Sequence, residues 1–100
     1  MNTKPIYVFA KWQVKAGRIN TVMALLAEVA TKSRDEKGNL FYNAYQSNTD
    51  ENTIMLAEAY ADQAALDEHR QSVHFQRIVI DQIVPELENR EVILSSQFDF

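Results

Sequence analysis

The segment Thr53–Phe75, which reads TIMLAEAYADQAALDEHRQSVHF, joins an apolar strand to a helix that is broken in two. Its first eight residues alternate with the period of a β-strand, and one face of that strand carries Ile54, Leu56, Glu58 and Tyr60. Asp62 is a good N-cap for a helix that runs through His69. Ser72 is suited to cap a second helix that ends near Pro85. The segment therefore predicts a strand followed by two short helices.

Three further strands and one helix are predicted outside this segment. Alternating apolar residues predict strands over residues 6–14, 40–47 and 90–98. Residues 19–33 repeat apolar side chains with helical spacing, and Gly38 is placed to stop this helix as its C′ residue. The order βαββαβ is typical of a ferredoxin-like α+β domain, in which helices cover one face of an antiparallel sheet. The 100 residues are expected to form this one domain.

Charge and composition exclude several classes of partner. The net charge of −4 argues against binding to nucleic acid or to an anionic membrane surface. The absence of cysteine removes disulfides, thiolate metal sites and cysteine nucleophiles, and it is compatible with a reducing compartment. No run approaches the roughly 20 apolar residues of a membrane span, and the first residues lack the apolar core of a signal peptide. A cytoplasmic location is expected.

The face of the sheet opposite the helices is also apolar. It is predicted to carry Tyr7, Phe9, Met55, Ala57, Ala59 and Ile93. An apolar patch of this kind usually marks an interface, whereas the alternative is a set of scattered surface residues. We therefore expect a homodimer that pairs two sheets face to face.

Acid/base chemistry is the function that the segment favours. Glu58 shares a face with apolar residues that must meet the helices, and burial would raise the pKa of its carboxyl group. The alternative is that Glu58 lies at the end of the sheet, solvated or paired with Arg70 or Arg77. His69 and His74 flank the helix break and can transfer protons near neutral pH. A single histidine more often caps a helix or fills a gap, but two beside a glutamate favour a site.

Metal binding and nucleotide binding are not expected. The spacing of the two histidines turns them about 140° apart on an ideal helix, unlike the same-face H-E-x-x-H pattern. No third ligand is obvious from the sequence, so no metal and no cofactor are predicted. With only two glycines the chain has no Gly-rich phosphate loop.

A pocket between the helices and the sheet would take its walls from aromatic residues. The pocket is predicted to be lined by Phe75, Tyr42, Phe41, Trp12 and Ser72. For most aromatic residues the competing interpretation is an ordinary core. A flat small molecule, aromatic or carbonyl, is the expected partner.

Four motifs resemble the antibiotic biosynthesis monooxygenase superfamily of dimeric α/β-barrel proteins. They are Val14-Lys15-Ala16-Gly17, the helix end Ser33-Arg34-Asp35-Glu36-Lys37-Gly38-Asn39-Leu40, Glu58-Ala59-Tyr60, and His69-Arg70-Gln71-Ser72-Val73-His74-Phe75. The last motif is the most specific, because it matches the superfamily's H-x-x-S-x-H-F signature. The resemblance covers nearly all of the chain.

The resemblance implies a homodimer with one pocket in each subunit. Many members oxidise quinols or polycyclic phenols with molecular oxygen and without flavin or metal, by deprotonating a substrate whose anion then reduces oxygen. In this chain His69 or His74 would accept the proton. Glu58 or Tyr60 would orient that histidine or hold the phenol oxygen.

Two departures from the superfamily narrow the choice of activity. Tyr60 stands where tryptophan is common, and Ala10 stands where haem-degrading members have asparagine, so haem degradation is disfavoured. Gly38-Asn39-Leu40 and Glu58-Ala59-Tyr60 look like the branch that isomerises the phosphorylated autoinducer-2 signal. That reaction would need cations for the phosphate, and the chain offers Lys11, Arg70 and Arg77. A non-catalytic ligand-binding dimer is the third alternative.

Overall fold

Strands and helices follow one another in the predicted order in the computed structural model of the protein, which describes residues 4–100. The elements are β1 (Ile6–Val14), α1 (Ile19–Arg34), β2 (Asn39–Gln46), β3 (Thr53–Tyr60), α2 (Gln63–Gln71), α3 (Phe75–Ile83), a 3₁₀ turn (Val84–Glu86) and β4 (Leu87–Ser95). The α3 segment is wound as a π-helix, a geometry that is rare and is frequent at functional sites. None of the helices is long and apolar enough to span a membrane in the part of the chain that the structure describes.

The four strands form one antiparallel sheet in the order β2-β3-β1-β4. The register pairs Glu58 of β3 with Val8 of β1 on one side and with Tyr42 of β2 on the other. Because partners in register point to the same face, these three side chains lie side by side under the helices. Glu58 therefore projects from the middle of the sheet and is buried.

Local capping residues break the second helix where the sequence predicts. The Asp62 carboxylate accepts a hydrogen bond from the backbone N–H of Ala65 at 2.8 Å and caps α2. The Ser72 hydroxyl donates to the carbonyl of His69 at 2.6 Å and accepts from the N–H of Phe75 at 3.2 Å. One serine thus ends α2 and begins α3, so Ser72 acts in the helix break.

Gly38 has a different role from the predicted helix stop. Helix α1 ends at Arg34, and the φ angle of Gly38 is not positive. A β-carbon at position 38 would lie 2.3 Å from the β-carbon of Ala65 in α2. The glycine is required there because the loop after α1 passes directly against α2.

Strand β4 begins earlier than the predicted Arg90. Leu87 is buried and pairs with Val14, and the N–H of Lys15 donates to the carbonyl of Glu86 at 2.9 Å. Arg18 donates two hydrogen bonds to the carboxylate of Glu86, at 2.7 and 2.9 Å. These tertiary contacts bring the chain back to the sheet three residues before its alternating pattern begins.

The outer face of the sheet is apolar and open. Phe9, Met55 and Ile93 are between 40% and 60% exposed there. An exposed apolar patch of this kind is typical of an interaction surface. Phe41 pairs with Ala59 in register, and its ring lies 6.1 Å from the ring of Tyr7 on this same face. The prediction that Phe41 lines the pocket is therefore wrong, because strand alternation points it away from the helices while Tyr42 points toward them.

Candidate active site

A cavity of about 430 Å³ lies between the helices and the sheet. Its floor comes from β1 and β3, and its walls come from α2, α3 and the edge strand β4. Of the residues predicted for the site, the cavity is lined by Trp12, Tyr42, Glu58, His69 and Phe75. Apolar side chains make up most of the remaining wall, which suits a small ligand with a flat apolar body.

Tyr60, Ser72 and His74 do not line the cavity. Tyr60 is fully buried behind Glu58, and Ser72 is occupied in the helix break. His74 is half-buried and lies on the far side of His69 from Glu58. Each of the three still forms a hydrogen bond near the cavity. Tyr60 bonds to the carboxylate of Glu58, Ser72 to the carbonyl of His69, and His74 to the carboxylate of Glu36.

Glu58 is a buried carboxyl group that forms no ion pair with a lysine or an arginine of residues 4–100. Its Oε1 accepts a hydrogen bond of 2.6 Å from the Tyr60 hydroxyl, and no ion pair joins it to Arg70 or Arg77. Burial raises the pKa of Glu58 to about 7, although the hydrogen bond from Tyr60 acts in the opposite direction. Near neutral pH this group is therefore able both to give and to take a proton.

His69 connects Glu58 to a second carboxylate. Its Nδ1 lies 2.9 Å from Oε2 of Glu36, and its Nε2 lies 3.6 Å from Oε1 of Glu58. Burial lowers the pKa of His69, and the hydrogen bond to Glu36 opposes that effect only in part. The imidazole is therefore neutral at neutral pH, and because carboxylates only accept, its Nδ1–H donates to Glu36. Its Nε2 is left as a free proton acceptor.

Aromatic rings hold the His69 imidazole in this orientation. The ring of Tyr60 lies 4.8 Å from it, and the ring of Phe75 meets it edge to face at 5.2 Å. Contacts of this kind restrict the rotation of a buried side chain. The free nitrogen of His69 is thus fixed at the cavity wall.

Glu36 is the main residue that sequence reasoning missed. It lies in the loop after α1, in a run of charged residues, and such runs are usually solvated. In the structure its Oε2 also accepts from Nε2 of His74, at 2.5 Å, so one carboxylate oxygen bridges both histidines. The only sequence signal was that Glu36 belongs to one of the motifs that resemble the superfamily.

The same cluster could hold a divalent metal ion. Ligand atoms of Glu36, His69 and His74 all lie within 4.8 Å of one another, and two imidazoles with one carboxylate suit Zn²⁺ or Fe²⁺. No third ligand is obvious from the sequence, and the structure supplies Glu36 as one. An ion would have to replace both hydrogen bonds that Glu36 now accepts. The absence of a metal stays a prediction.

The cations around the cavity differ from those expected for a phosphate. Arg70 lines it, as do Arg90 of β4 and Gln76 of α3, which the sequence did not single out. Lys11 lies on the open face, where it pairs with Met55 and Glu91 in register, and Arg77 does not reach the cavity. Two of the three cations offered for a phosphorylated substrate are thus elsewhere.

Comparison with known proteins places this architecture in one family. A family model described as antibiotic biosynthesis monooxygenase matches residues 5–80. "Putative monooxygenase Rv0793" of Mycobacterium tuberculosis is 36% identical over 73 residues, which cover 73% of this chain and 71% of that protein. "Putative monooxygenase YcnE" of Bacillus subtilis is 30% identical over 67 residues, 67% of this chain and 70% of that protein.

Solved structures confirm the ferredoxin-like fold. The structure of Rv0793 superposes with a TM-score of 0.89 at 29% identity, covering 96% of this chain and 97% of that one. PA3566 from Pseudomonas aeruginosa has a TM-score of 0.91 over 99% of both chains, and at 23% identity this likeness concerns the fold alone. With the family model matching three quarters of its length, the chain belongs to the antibiotic biosynthesis monooxygenase family.

Proposed function

We propose that the protein oxidises a quinol-like or polycyclic phenolic compound with molecular oxygen, without a flavin or a metal. The family and the names of the relatives support a monooxygenase-type function. The observation that carries the finer proposal is the position of the His69 imidazole, which lines an apolar cavity while Glu36 holds its Nδ1. A buried base beside an apolar cavity suits the deprotonation of a phenol.

The reaction begins with transfer of a phenolic proton to Nε2 of His69. The carboxylate of Glu36 stabilises the imidazolium that forms, as an acidic partner does in other base–carboxylate pairs. The substrate anion then reduces oxygen. A quinol that loses two hydrogen atoms and gains one oxygen atom consumes one O₂, and the second oxygen atom leaves as water.

Carboxyl groups flank His69 on both sides. Glu36 accepts from Nδ1–H of His69 and from Nε2–H of His74, so two N–H groups hold this carboxylate beside the imidazolium. Glu58 lies on the other side of the imidazole, with its pKa raised to about 7 by burial. It is suited to return a proton to the oxygen atom that leaves as water.

The two alternative functions of the site predict different experimental results. An isomerase acting on a phosphorylated signal is favoured by the cations at the cavity, Arg70 and Arg90, and it would not need oxygen. A non-catalytic dimer would bind a small molecule in the same cavity without turnover. Oxygen dependence therefore separates the three readings.

The decisive test is oxygen-dependent turnover of a bicyclic quinol such as naphthalene-1,4-diol by metal-depleted protein. We expect one O₂ to be consumed per substrate, with one labelled atom from ¹⁸O₂ in the organic product and one in water. We expect chelation to change the rate by less than about twofold, since the pocket's own groups move the protons. Heat-denatured protein corrects for spontaneous oxidation of the quinol.

Three results would contradict the proposal. Turnover that continues without oxygen would favour the isomerase. Loss of activity on chelation, restored by Zn²⁺ or Fe²⁺, would favour a metal at Glu36, His69 and His74. Tight binding of the quinol without any turnover would favour the non-catalytic reading.

The protein is also proposed to form a homodimer through the open face of its sheet. Ile93 is 60% exposed near the end of β4, beside Phe9 in register. We expect light scattering to give twice the chain mass for the wild type and one chain mass for Ile93→Asp, because a buried unpaired charge opposes association. Val73→Asp is the matched control, since Val73 is 75% exposed between α2 and α3. A monomeric wild type would rule out this interface.

A further inference from the structure

We infer that the substrate of this cavity carries an anionic group, a carboxylate or a phosphate, and that Arg70 and Arg90 bind it. The inference rests on the proposed function only in taking the cavity as the substrate site. It concerns the chemical class of the substrate and two residues that determine specificity.

Arg70 and Arg90 reach the same cavity from different elements. Arg70 follows His69 near the end of α2, whereas Arg90 lies on the edge strand β4, 20 residues further along the chain. Arg90 pairs with Trp12 in register, and Trp12 is a buried residue of the face under the helices. The Arg90 side chain therefore lies on the cavity side of the sheet.

Neither guanidinium is neutralised within residues 4–100. Two of the other three arginines have partners: Arg18 binds the carboxylate of Glu86, and Arg34 donates two hydrogen bonds to the carbonyl of Tyr42. Arg70 and Arg90 form no ion pair with any carboxylate of the described residues. In a chain of net charge −4, two unpaired guanidinium groups at one cavity form a local site of positive charge.

The positions of the charged groups orient the ligand. Glu58 and His69 are buried, while Arg70 and Arg90 are exposed, so the base lies inside and the cations lie toward solvent. The apolar wall between them cannot solvate an anion, and Glu58 would repel one. A guanidinium binds a carboxylate or a phosphate through two parallel hydrogen bonds. The fitting ligand has a phenolic end directed inward and an anionic end at the arginines.

The inference is tested by binding, without turnover, of two naphthols, of which only one carries a carboxylate group. These are 6-hydroxy-2-naphthoate and 2-naphthol, measured by calorimetry under argon, with 6-hydroxy-2-naphthyl phosphate to distinguish phosphate from carboxylate. Trp12, the single tryptophan, lines the cavity, so quenching of its fluorescence reports that binding is in this site.

We expect the wild type to bind the naphthoate at least about tenfold more tightly than naphthol at low ionic strength. We expect Arg70→Gln and Arg90→Gln each to reduce this ratio, and the double variant to bring it below about threefold, with the affinity for naphthol unchanged. Arg77→Gln is the matched control, since Arg77 is an exposed arginine of α3 that does not line the cavity.

A wild-type ratio near one, a ratio that survives the double variant, or binding of neither compound would overturn the inference. These results are distinct from failure of the proposed function. A charge-dependent ratio without oxygen uptake would leave the anion site in place and remove the monooxygenase reaction. Oxygen-dependent oxidation of a neutral quinol, together with equal binding of naphthoate and naphthol, would support the monooxygenase reaction and remove the anion site.

Discussion

Replacing His69 with glutamine is expected to lower kcat/KM for a bicyclic quinol by about 10²- to 10⁴-fold, the usual contribution of a general base. Glutamine fills most of the space of the imidazole but cannot accept a proton at neutral pH. The reason for so large an effect is geometric: Nε2 of His69 is a free acceptor at the cavity, and Glu36 holds the opposite nitrogen at 2.9 Å. Initial rates of oxygen uptake measure the change.

His74→Gln is the matched control for this prediction. His74 contacts the same oxygen of Glu36 but does not line the cavity, so its loss leaves the base in place. We expect a reduction of no more than about tenfold, because Glu36 loses one of the two N–H groups that hold it beside His69. The pH profile provides an independent measurement, because His69→Gln removes the acidic limb that titration of His69 produces. A His69→Gln variant with more than a tenth of wild-type activity, or a greater loss in His74→Gln, would refute the assignment.

Replacing Glu58 with glutamine is expected to stabilise the protein above neutral pH. Burial raises the pKa of the folded-state carboxyl to about 7 from its ordinary value of 4.5. A raised pKa means that the folded state keeps its proton when the unfolded state has lost it. The stability that Glu58 contributes is therefore complete below pH 4.5 and is lost as the pH rises through 7.

The size of the effect follows from the shift in pKa. At about pH 8 the Glu58→Gln variant is expected to have a free energy of unfolding about 3 kcal/mol greater than the wild type. Glutamine keeps an oxygen that accepts from the Tyr60 hydroxyl, which now donates to Glu58 at 2.6 Å. Urea unfolding at fixed protein concentration, from about pH 4 to about pH 8, measures the difference between the two proteins.

The difference in the free energy of unfolding between Glu58→Gln and the wild type, followed against pH, isolates Glu58 from the other titrating groups. His69 has a lowered pKa, so its own contribution is present at higher pH and is lost on acidification, the opposite direction. That contribution is present in both proteins and cancels to a first approximation. Glu51→Gln, at an exposed glutamate of the β2–β3 turn, is the matched control. A difference in the free energy of unfolding that stays constant with pH, or that increases toward acidic pH, would show that Glu58 is not held in its neutral form.

Local patterns predicted most of the fold. The bounds of β1 and β3 agree with the alternation of their apolar residues, and the helix break at Ser72 is made by its own side chain. The start of β4 could not be predicted from a local pattern, because it depends on distant residues. Leu87 pairs with Val14 of β1, and Arg18 binds Glu86 in the preceding turn. Phe41 was misplaced although its strand was predicted, because a neighbouring aromatic residue, Tyr42, takes the inner face.

The candidate site was predicted in part. Glu58, His69 and Phe75 were identified because residue type and period-two or helical spacing are visible in one segment. Arg90 was not identified, since a charged residue on an edge strand looks like an ordinary surface residue. Its position at the cavity depends on its register with Trp12.

The sequence by itself determined the order of strands and helices, their caps and the residue types on the inner face of β3, because these depend on neighbours within a few positions. Only the tertiary structure decided which groups act together. Glu36 lies 33 residues before His69 and 38 before His74, yet one of its oxygens joins both. The loop that carries Glu36 comes close to α2 because Gly38 has no side chain to strike Ala65. The protonation states of Glu58 and His69 follow from burial and from this distant carboxylate, and desolvation and distant neighbours arise only when the chain is folded.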